Sequence, residues 1–174
     1  MAADDLVSRR RAVRILDEGH AAVNALLDRL PPRALSRPGL GGGDWSPRDL
    51  VGHLESWEEY AIEALDAWDQ GSGVPIDKEV WSKGTSRVNV DAVARKASRS
   101  AAEMRRHAER THAELIGRLQ AMSDARWKAP GTSRGRKPVG ARLGGILGGT
   151  TGDFRHAEAH LKDLRAFVAE HERG

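Results

Sequence analysis

Apolar residues recur at steps of three and four along four segments of the chain, and this spacing predicts four amphipathic helices. The first apolar stripe covers residues 13–30. Ser46 precedes the second stripe and Asp49 follows three positions later, which is the signature of a capping box at the start of a helix. The second stripe then covers residues 50–68 and ends before two glycines. A helix with a defined start and end is therefore expected here.

The third and fourth stripes are longer than the first two. Residues 93–122 give one continuous apolar face of about eight turns, at about 3.6 residues per turn. The fourth stripe, residues 143–168, carries five glycines in its first half. Each glycine costs up to about 1 kcal/mol in a helix interior relative to alanine. This half is therefore expected to be either irregular or packed closely against a neighbour.

The segments between the stripes are predicted to be irregular. Residues 70–88 form a long link, and residues 128–138 are rich in glycine, proline and basic side chains, as loops often are. No segment alternates between apolar and polar residues with a period of two, so no sheet is predicted. These features predict an all-α fold, a four-helix bundle with a long link between helices two and three, formed by residues 1–174 as a single domain.

The composition limits the chemistry of the chain. With 174 residues it is long enough to bury a core, and it contains no cysteine. A disulfide framework and thiolate metal ligands are therefore excluded, and any metal must be held by nitrogen and oxygen atoms. No apolar run approaches the roughly 20 residues that a membrane-spanning helix needs. No membrane is expected as a partner, and the cytoplasm is the expected location.

Charge is unevenly distributed, although the net charge is only +3. All charged side chains between Arg48 and Lys78 are acidic, and all those between Asp124 and Asp153 are basic. We interpret these blocks as solvated faces that attract each other, because so small a net charge is weak evidence for a nucleic-acid site. No nucleic-acid partner is expected on this basis.

Three histidines are the strongest candidates for a functional site. His53 lies about 40° from the centre of the second apolar stripe, which turns it towards the bundle interior. His156 and His160 are four residues apart in the fourth stripe, so both lie on one flank of its apolar face. One imidazole from the second helix and two from the last can complete a three-ligand metal site. The alternative is that they are hydrogen-bonded core or boundary residues.

Four further residues are candidates for the surroundings of that site. Asp153 is a fourth ligand, a carboxylate that orients a ligating imidazole, or an exposed helix acid. Tyr60 either reaches the cavity with its hydroxyl group or lies at the boundary of the core. His20 is expected in the core or beside a ligand, and Trp57 in the packing at the cavity. The remaining histidines are expected to be ordinary boundary or surface residues: His107, His112 and His171.

Taken together, these motifs resemble the DinB-like superfamily, which includes the N-terminal domain of mycothiol-dependent maleylpyruvate isomerase. The resemblance lies in three stretches that together span most of the chain: residues 43–58 (GDWSPRDLVGHLESWE), 119–127 (LQAMSDARW) and 154–161 (FRHAEAHL). It implies a four-helix bundle that binds a divalent metal, zinc or nickel, through one histidine of the second helix and a His-x-x-x-His pair of the last. In this sequence those ligands are His53, His156 and His160.

The resemblance implies a site more specifically than a reaction, because members of the superfamily differ in activity. The first hypothesis is a metal-dependent thiol S-transferase or hydrolase that acts on a small electrophilic molecule, with no catalytic residue assigned. Without cysteine in the chain, any thiol is an external low-molecular-weight cosubstrate. The basic residues within 134–142 either attract an anionic cosubstrate or belong to a solvated loop.

Two alternatives to this hypothesis remain open. A neighbouring branch, the ClbS/DfsB group of self-resistance proteins, shares the tryptophan-rich second helix, and some of its members lack the histidine set. That branch implies a metal-free protein that binds or sequesters a reactive small molecule. The other alternative is an interaction protein without pocket chemistry, which uses its acidic and basic faces to pair with a partner or with itself as a homodimer.

Overall fold

The structure is a computed structural model that describes residues 6–132 and 135–172. Within this part of the chain all regular structure is helical, and no β-strand occurs. The α-helices of the described residues are α1 (Arg9–Leu27), α2 (Pro47–Asp69), α3 (Pro75–Lys83), α4 (Thr85–Arg95), α5 (Ala101–Ala121), α6 (Asp124–Lys128), α7 (Val139–Ile146) and α8 (His156–His171). Two 3₁₀ turns, Pro32–Ser36 and Leu40–Gly42, connect α1 to α2. The predicted all-α class is confirmed.

Local sequence signals set the start of two long helices. The Ser46 side chain accepts a hydrogen bond from the backbone N–H of Asp49, and the Asp49 carboxylate accepts one from the backbone N–H of Ser46 at 2.9 Å. This is the predicted capping box, and α2 ends before Gly71 as expected. Ser100 and Glu103 form a second capping box at the start of α5. Each box satisfies two backbone donors that a first helical turn otherwise leaves without partners.

The third apolar stripe is not one helix, because the chain leaves the helical path between residues 95 and 101. Lys96 is buried at this junction, and its ammonium group donates to Glu55 Oε2 at 2.9 Å and to Glu59 Oε2 at 2.8 Å. Both carboxylates belong to α2, so the ion pairs tie the junction to that helix. A new helix then starts at the cap formed by Ser100. The expectation of eight continuous turns was wrong for this reason.

The glycine-rich half of the fourth stripe is also interrupted, since α7 ends at Ile146 and α8 begins at His156. Gly149, between the two helices, has a φ of +64°, a left-handed conformation that favours glycine. A Cβ atom at Gly148 would lie only 2.6 Å from the carbonyl oxygen of Gly144. The predicted irregularity is therefore confirmed, and the close contact at Gly148 is to the backbone of the same segment.

The long link that precedes the third stripe contains helical structure that apolar spacing did not predict. α3 lies entirely within residues 70–88, and α4 begins there. Val74, Ile76 and Val88 are buried, which attaches the link to the core. The link is therefore a packed layer over the longer helices, and it forms one wall of the site described below.

The four longest helices form the body of the fold. α2 packs against α5, α1 packs against both α5 and α8, and α2 also contacts α8. Their apolar faces form two clusters of buried side chains, one that includes Leu65 and Leu115 and another that includes Leu50 and Leu164. Among the described residues, no helix combines the length and the apolar character needed to cross a bilayer.

Candidate metal centre

α2 and α8 bring three histidines together. His53 lies on the inner face of α2, and only 2 % of its surface is exposed, which confirms that it faces the interior. His156 is the first residue of α8 and His160 follows one turn later, so the two imidazoles lie on the same side of that helix. The site therefore depends on the contact between α2 and α8.

A strained turn sets the start of α8. Phe154 has a φ of +65°, which is unusual for a residue other than glycine. Its ring stacks on the buried Trp127, with 5.8 Å between the ring centroids. The backbone N–H of His156 then donates to the carbonyl oxygen of Leu147 at 3.0 Å. These contacts hold the first residue of α8 against the end of α7.

The ring nitrogens of the three histidines converge. The Nε2 atoms of His53 and His156 are 2.9 Å apart, and those of His156 and His160 are 3.4 Å apart. Each residue offers one ring nitrogen within 4.8 Å of the other two. Two nitrogens that bind a tetrahedral zinc ion at about 2.0–2.1 Å lie about 3.3–3.4 Å from each other. The 3.4 Å separation matches this value and the 2.9 Å separation is shorter, so the three nitrogens are close enough to one another to reach a shared ion.

Burial makes these imidazoles weak bases. It lowers the pKa of His53 to about 2, with a further contribution from the charges of the neighbouring histidines and of Lys96. Burial, together with the charge of His160, lowers the pKa of His156 to about 3. Burial also lowers the pKa of His160, against the opposing effect of Asp163. All three rings are therefore neutral near pH 7, which is the state in which imidazole binds a metal.

The outer nitrogen of His53 lacks a partner. Its Nδ1 atom is buried and makes no hydrogen bond to the described residues. Ligating histidines usually donate their second N–H to an acceptor that fixes the ring. Here the ring of Trp45 packs against His53, with 5.0 Å between the centroids. The orientation of His53 is therefore set by this packing together with the contact between its Nε2 atom and that of His156.

The three histidines line a cleft of about 1040 Å³. This volume is slightly above the range for small-molecule pockets, about 300–1,000 Å³. The apolar side chains of its wall are Trp57, Ile76, Val80, Trp81, Ala141, Ile146 and Ala159. The charged ones, apart from the histidines, are Asp77, Lys137, Arg142 and Asp163. The cleft thus offers a mostly apolar surface that leads to a group of metal-competent nitrogens.

The two predicted aromatic neighbours differ in position. Trp57 lines the cleft, and its indole N–H donates to Asn89 Oδ1 at 3.0 Å. Tyr60 is buried and does not line the cleft, and its hydroxyl oxygen accepts a hydrogen bond from Arg95 Nη2 at 2.7 Å. Burial raises the pKa of Tyr60, although Arg95 opposes this. Trp57 therefore has access to a ligand in the cleft, whereas the Tyr60 hydroxyl is engaged elsewhere.

The structure points to a different carboxylate from the one singled out in the sequence. Asp153 is exposed, lies beside Gly144 and does not line the cleft. Asp163 does line the cleft, three residues after His160 on α8. The sequence contained a signal for Asp163, since residues three apart are neighbours on a helix surface. The role predicted for Asp153 as a ligand or partner of a ligand stays a prediction.

His20 and His112 form a second cluster, away from the cleft. Their rings stack with 3.9 Å between centroids, and His20 Nε2 lies 2.8 Å from Glu109. His112 is 6 % exposed, with its two nitrogens 2.8 Å from Glu58 and 3.1 Å from Asp17. The expectation of an ordinary boundary residue was wrong for His112, because its partners come from other helices.

The basic residues within 134–142 differ in their contacts and in their access to the cleft. Arg142 forms an ion pair with Asp77 on α3. Lys137 lines the cleft and is exposed, whereas Arg136 is exposed and does not line it. Arg134 lies outside the described residues. Among the described residues of this stretch, Lys137 and Arg142 are thus the basic side chains that line the cleft.

The protein thus has an all-α fold with a histidine cluster between the second and last of its four long helices. The family model of the DinB superfamily matches residues 15–173, and the chain belongs to that superfamily. A search of curated protein sequences gives no match.

Solved structures of similar fold include the following two. An uncharacterised protein from Escherichia coli UTI89 has a TM-score of 0.75 at 15 % identity, with 94 % of each chain covered. The colibactin self-resistance protein ClbS, in complex with a dsDNA, has a TM-score of 0.72 at 14 % identity, with 95 % of this chain and 96 % of ClbS covered. The exclusion of nucleic acid as a partner was therefore wrong, since a protein of this fold is found on duplex DNA. A small net charge does not exclude such binding, because local basic surface can supply it.

Proposed function

We propose that the protein is a divalent-metal-dependent enzyme that acts on a small electrophilic molecule, as a thiol S-transferase or a hydrolase. The convergence of three neutral imidazole nitrogens at the wall of a large cleft is the observation that carries this proposal. His53, His156 and His160 hold the ion, and zinc and nickel both accept imidazole ligands. Three protein ligands leave a coordination position open, as in catalytic zinc sites.

The chain supplies the environment of the reaction. When bound, a divalent ion lowers the pKa of a water molecule or thiol in its open position. The apolar wall of the cleft, including Trp57 and Val80, removes water from around a substrate. Because the chain has no cysteine, a thiol reaction uses an external low-molecular-weight cosubstrate.

Metal analysis of purified variants tests the assignment. The wild-type protein, purified without a metal-affinity tag and incubated with zinc or nickel, should retain about one equivalent after desalting. His53→Ala, His156→Ala and His160→Ala should each lose it, because two imidazoles hold an ion much less tightly than three. His107→Ala is the matched control, since His107 is a half-buried histidine outside the cluster. Full retention in all three variants would refute the proposal.

A second candidate is a metal-free self-resistance protein of the ClbS type. The fold similarity to ClbS and the size of the cleft support it. In this case the cleft sequesters a reactive molecule, and the histidines serve only as hydrogen-bonding groups. Protection of a target from that reactive molecule would then not depend on metal. The metal-free wild type and the three histidine variants would protect the target as well as the metal-loaded protein does.

Binding of duplex DNA is part of this second candidate function, because ClbS is in complex with a dsDNA. The segment between Asp124 and Asp153 carries only basic charges, which is the feature of this chain that favours DNA. Fluorescence anisotropy with a labelled duplex at two salt concentrations tests this, since binding through phosphate contacts weakens as salt rises. No change in anisotropy at low salt would exclude this partner.

The location in the cytoplasm, the single domain and the homodimer stay expectations of the proposal. The absence of cysteine suits a reducing compartment. Sedimentation at low and high salt measures the oligomeric state, and a dimer held by the acidic and basic faces should dissociate at high salt.

A further inference from the structure

One aromatic side chain of the cleft lies almost wholly in solvent. Trp81 on α3 is 93 % exposed, although it lines the same cleft as the three histidines. The other tryptophans of the chain are buried or half-buried. A single exposed apolar residue is common on protein surfaces, but this one lies on the wall of a pocket. Its indole ring offers a large flat surface to whatever enters.

Charged side chains line the same cleft as Trp81. Asp77 precedes it by one turn of α3, so the two side chains are neighbours on that helix. Arg142 pairs with Asp77 and thereby joins α7 to α3 at this part of the wall. Lys137, two residues before α7, also lines the cleft and makes no ion pair to the described residues. The wall thus combines an open aromatic surface with a positive charge available to a ligand.

We infer that the cleft binds an aromatic anion, whose planar ring stacks on Trp81 and whose carboxylate, sulfonate or phosphate group pairs with Lys137. The inference rests on the proposed function, because it names the substrate class of the same cleft. Stacking removes apolar surface from water on both partners, and the ion pair fixes the direction in which the molecule lies. A volume of about 1040 Å³ has room for a ring, its charged group and a reactive end that extends towards the histidines.

Calorimetric titration of the full-length protein with 1-naphthalenesulfonate tests the inference, with and without a chelator. This probe should bind more tightly than 1-naphthalenemethanol, which lacks the charge, and than propanesulfonate, which lacks the ring. Trp81→Ala should weaken its binding about three- to tenfold, the range of aromatic pairing, and Trp81→Phe should retain most of the affinity. Lys137→Gln should weaken it about two- to fivefold, as expected for an exposed ion pair, and leave 1-naphthalenemethanol unchanged.

Two variants serve as matched controls. Val90→Ala and Lys128→Gln remove exposed side chains that do not line the cleft, and neither should change binding. Equal affinity of the wild type and Trp81→Ala, or no binding of 1-naphthalenesulfonate, would overturn the inference. Metal content of the same samples separates the two proposals. If the protein retains its full metal content but binds 1-naphthalenesulfonate equally well without Trp81, only the inference about the aromatic anion is refuted. If the wild-type protein retains no metal but its binding of 1-naphthalenesulfonate still depends on Trp81 and Lys137, the inference is supported and only the proposal of a metal-dependent enzyme is refuted.

Discussion

Replacement of Glu55 by glutamine is expected to destabilise the protein strongly. Glu55 is 1 % exposed and accepts hydrogen bonds from Lys96 Nζ at 2.9 Å and from Arg99 Nη1 at 3.1 Å. Lys96 is itself buried and also donates to the carbonyl oxygen of Gly52 at 3.4 Å. The Glu55→Gln substitution keeps the size of the side chain and removes its charge. The ammonium group of Lys96 then stays buried beside a neutral amide.

The magnitude follows from the degree of burial. Removal of one partner from a buried ion pair costs about 3–5 kcal/mol, because the other charge is left without compensation. Glu59 remains 2.8 Å from Lys96 and is more exposed than Glu55, so we expect the lower end, about 3 kcal/mol. For a chain of this size 1 kcal/mol corresponds to about 2–4 °C in Tm. The Tm should therefore fall by about 6–12 °C in a thermal melt followed by circular dichroism, with urea unfolding as the second assay.

An exposed ion pair supplies the control. Glu79 lies 3.4 Å from Lys83 on α3, and both side chains are exposed to solvent. Glu79→Gln should cost less than about 0.5 kcal/mol. The double substitution Glu55→Gln with Lys96→Met should cost less than the sum of the single ones, since the two residues are in contact. A loss of 1 kcal/mol or less for Glu55→Gln would refute the view that this pair ties the junction of α4 and α5 to α2.

Two further predictions concern the core. Burial opposes protonation of His112, but the hydrogen bonds and charges of its two carboxylate partners outweigh this and raise its pKa. Protonated His112 therefore stabilises the fold below its unfolded pKa of about 6.5, and this contribution disappears as the pH rises through the folded value. Urea unfolding should show a larger difference between wild type and His112→Gln at pH 6 than at pH 9, and an equal difference at both would contradict this. Gly140→Ala should cost about 1–3 kcal/mol in a thermal melt, because its Cβ would lie 2.3 Å from Trp127. Gly145→Ala, with no atom within 4 Å of the new Cβ, should not destabilise; equal losses would count against the clash.

The parts of the fold that sequence alone predicted are those set by local signals. The start of α2 follows from Ser46 and Asp49, which are three residues apart and need no distant partner. The meeting of His53 with His156 and His160 followed from the angular position of each residue on its own helix, combined with the family resemblance. The start of α2 is therefore encoded within one turn of the chain, whereas the meeting of histidines about a hundred residues apart was predicted only with the help of the resemblance.

The parts that sequence alone did not predict depend on distant contacts. The break at Lys96 is fixed by carboxylates some forty positions earlier, on α2. The burial of His112 depends on Asp17 and Glu58, which α1 and α2 supply. Trp81 belongs to a segment that seemed only a connection, and it becomes part of a cleft wall once α3 folds over α2. The spacing of apolar residues along one helix does not indicate which residues of other helices it will contact.

The left-handed turn at Phe154 makes the position of a histidine depend on the apolar interior. For a residue with a side chain, this backbone conformation costs about 1–3 kcal/mol, which the packing of its ring on Trp127 helps to offset. His156 follows two residues later, so its ring is located by that packing as much as by α8. Substitutions around Trp127 should therefore shift the affinity for the ion that we propose, although Trp127 is not one of the proposed ligands. A change in the core can thus move His156 while all three histidines stay in place.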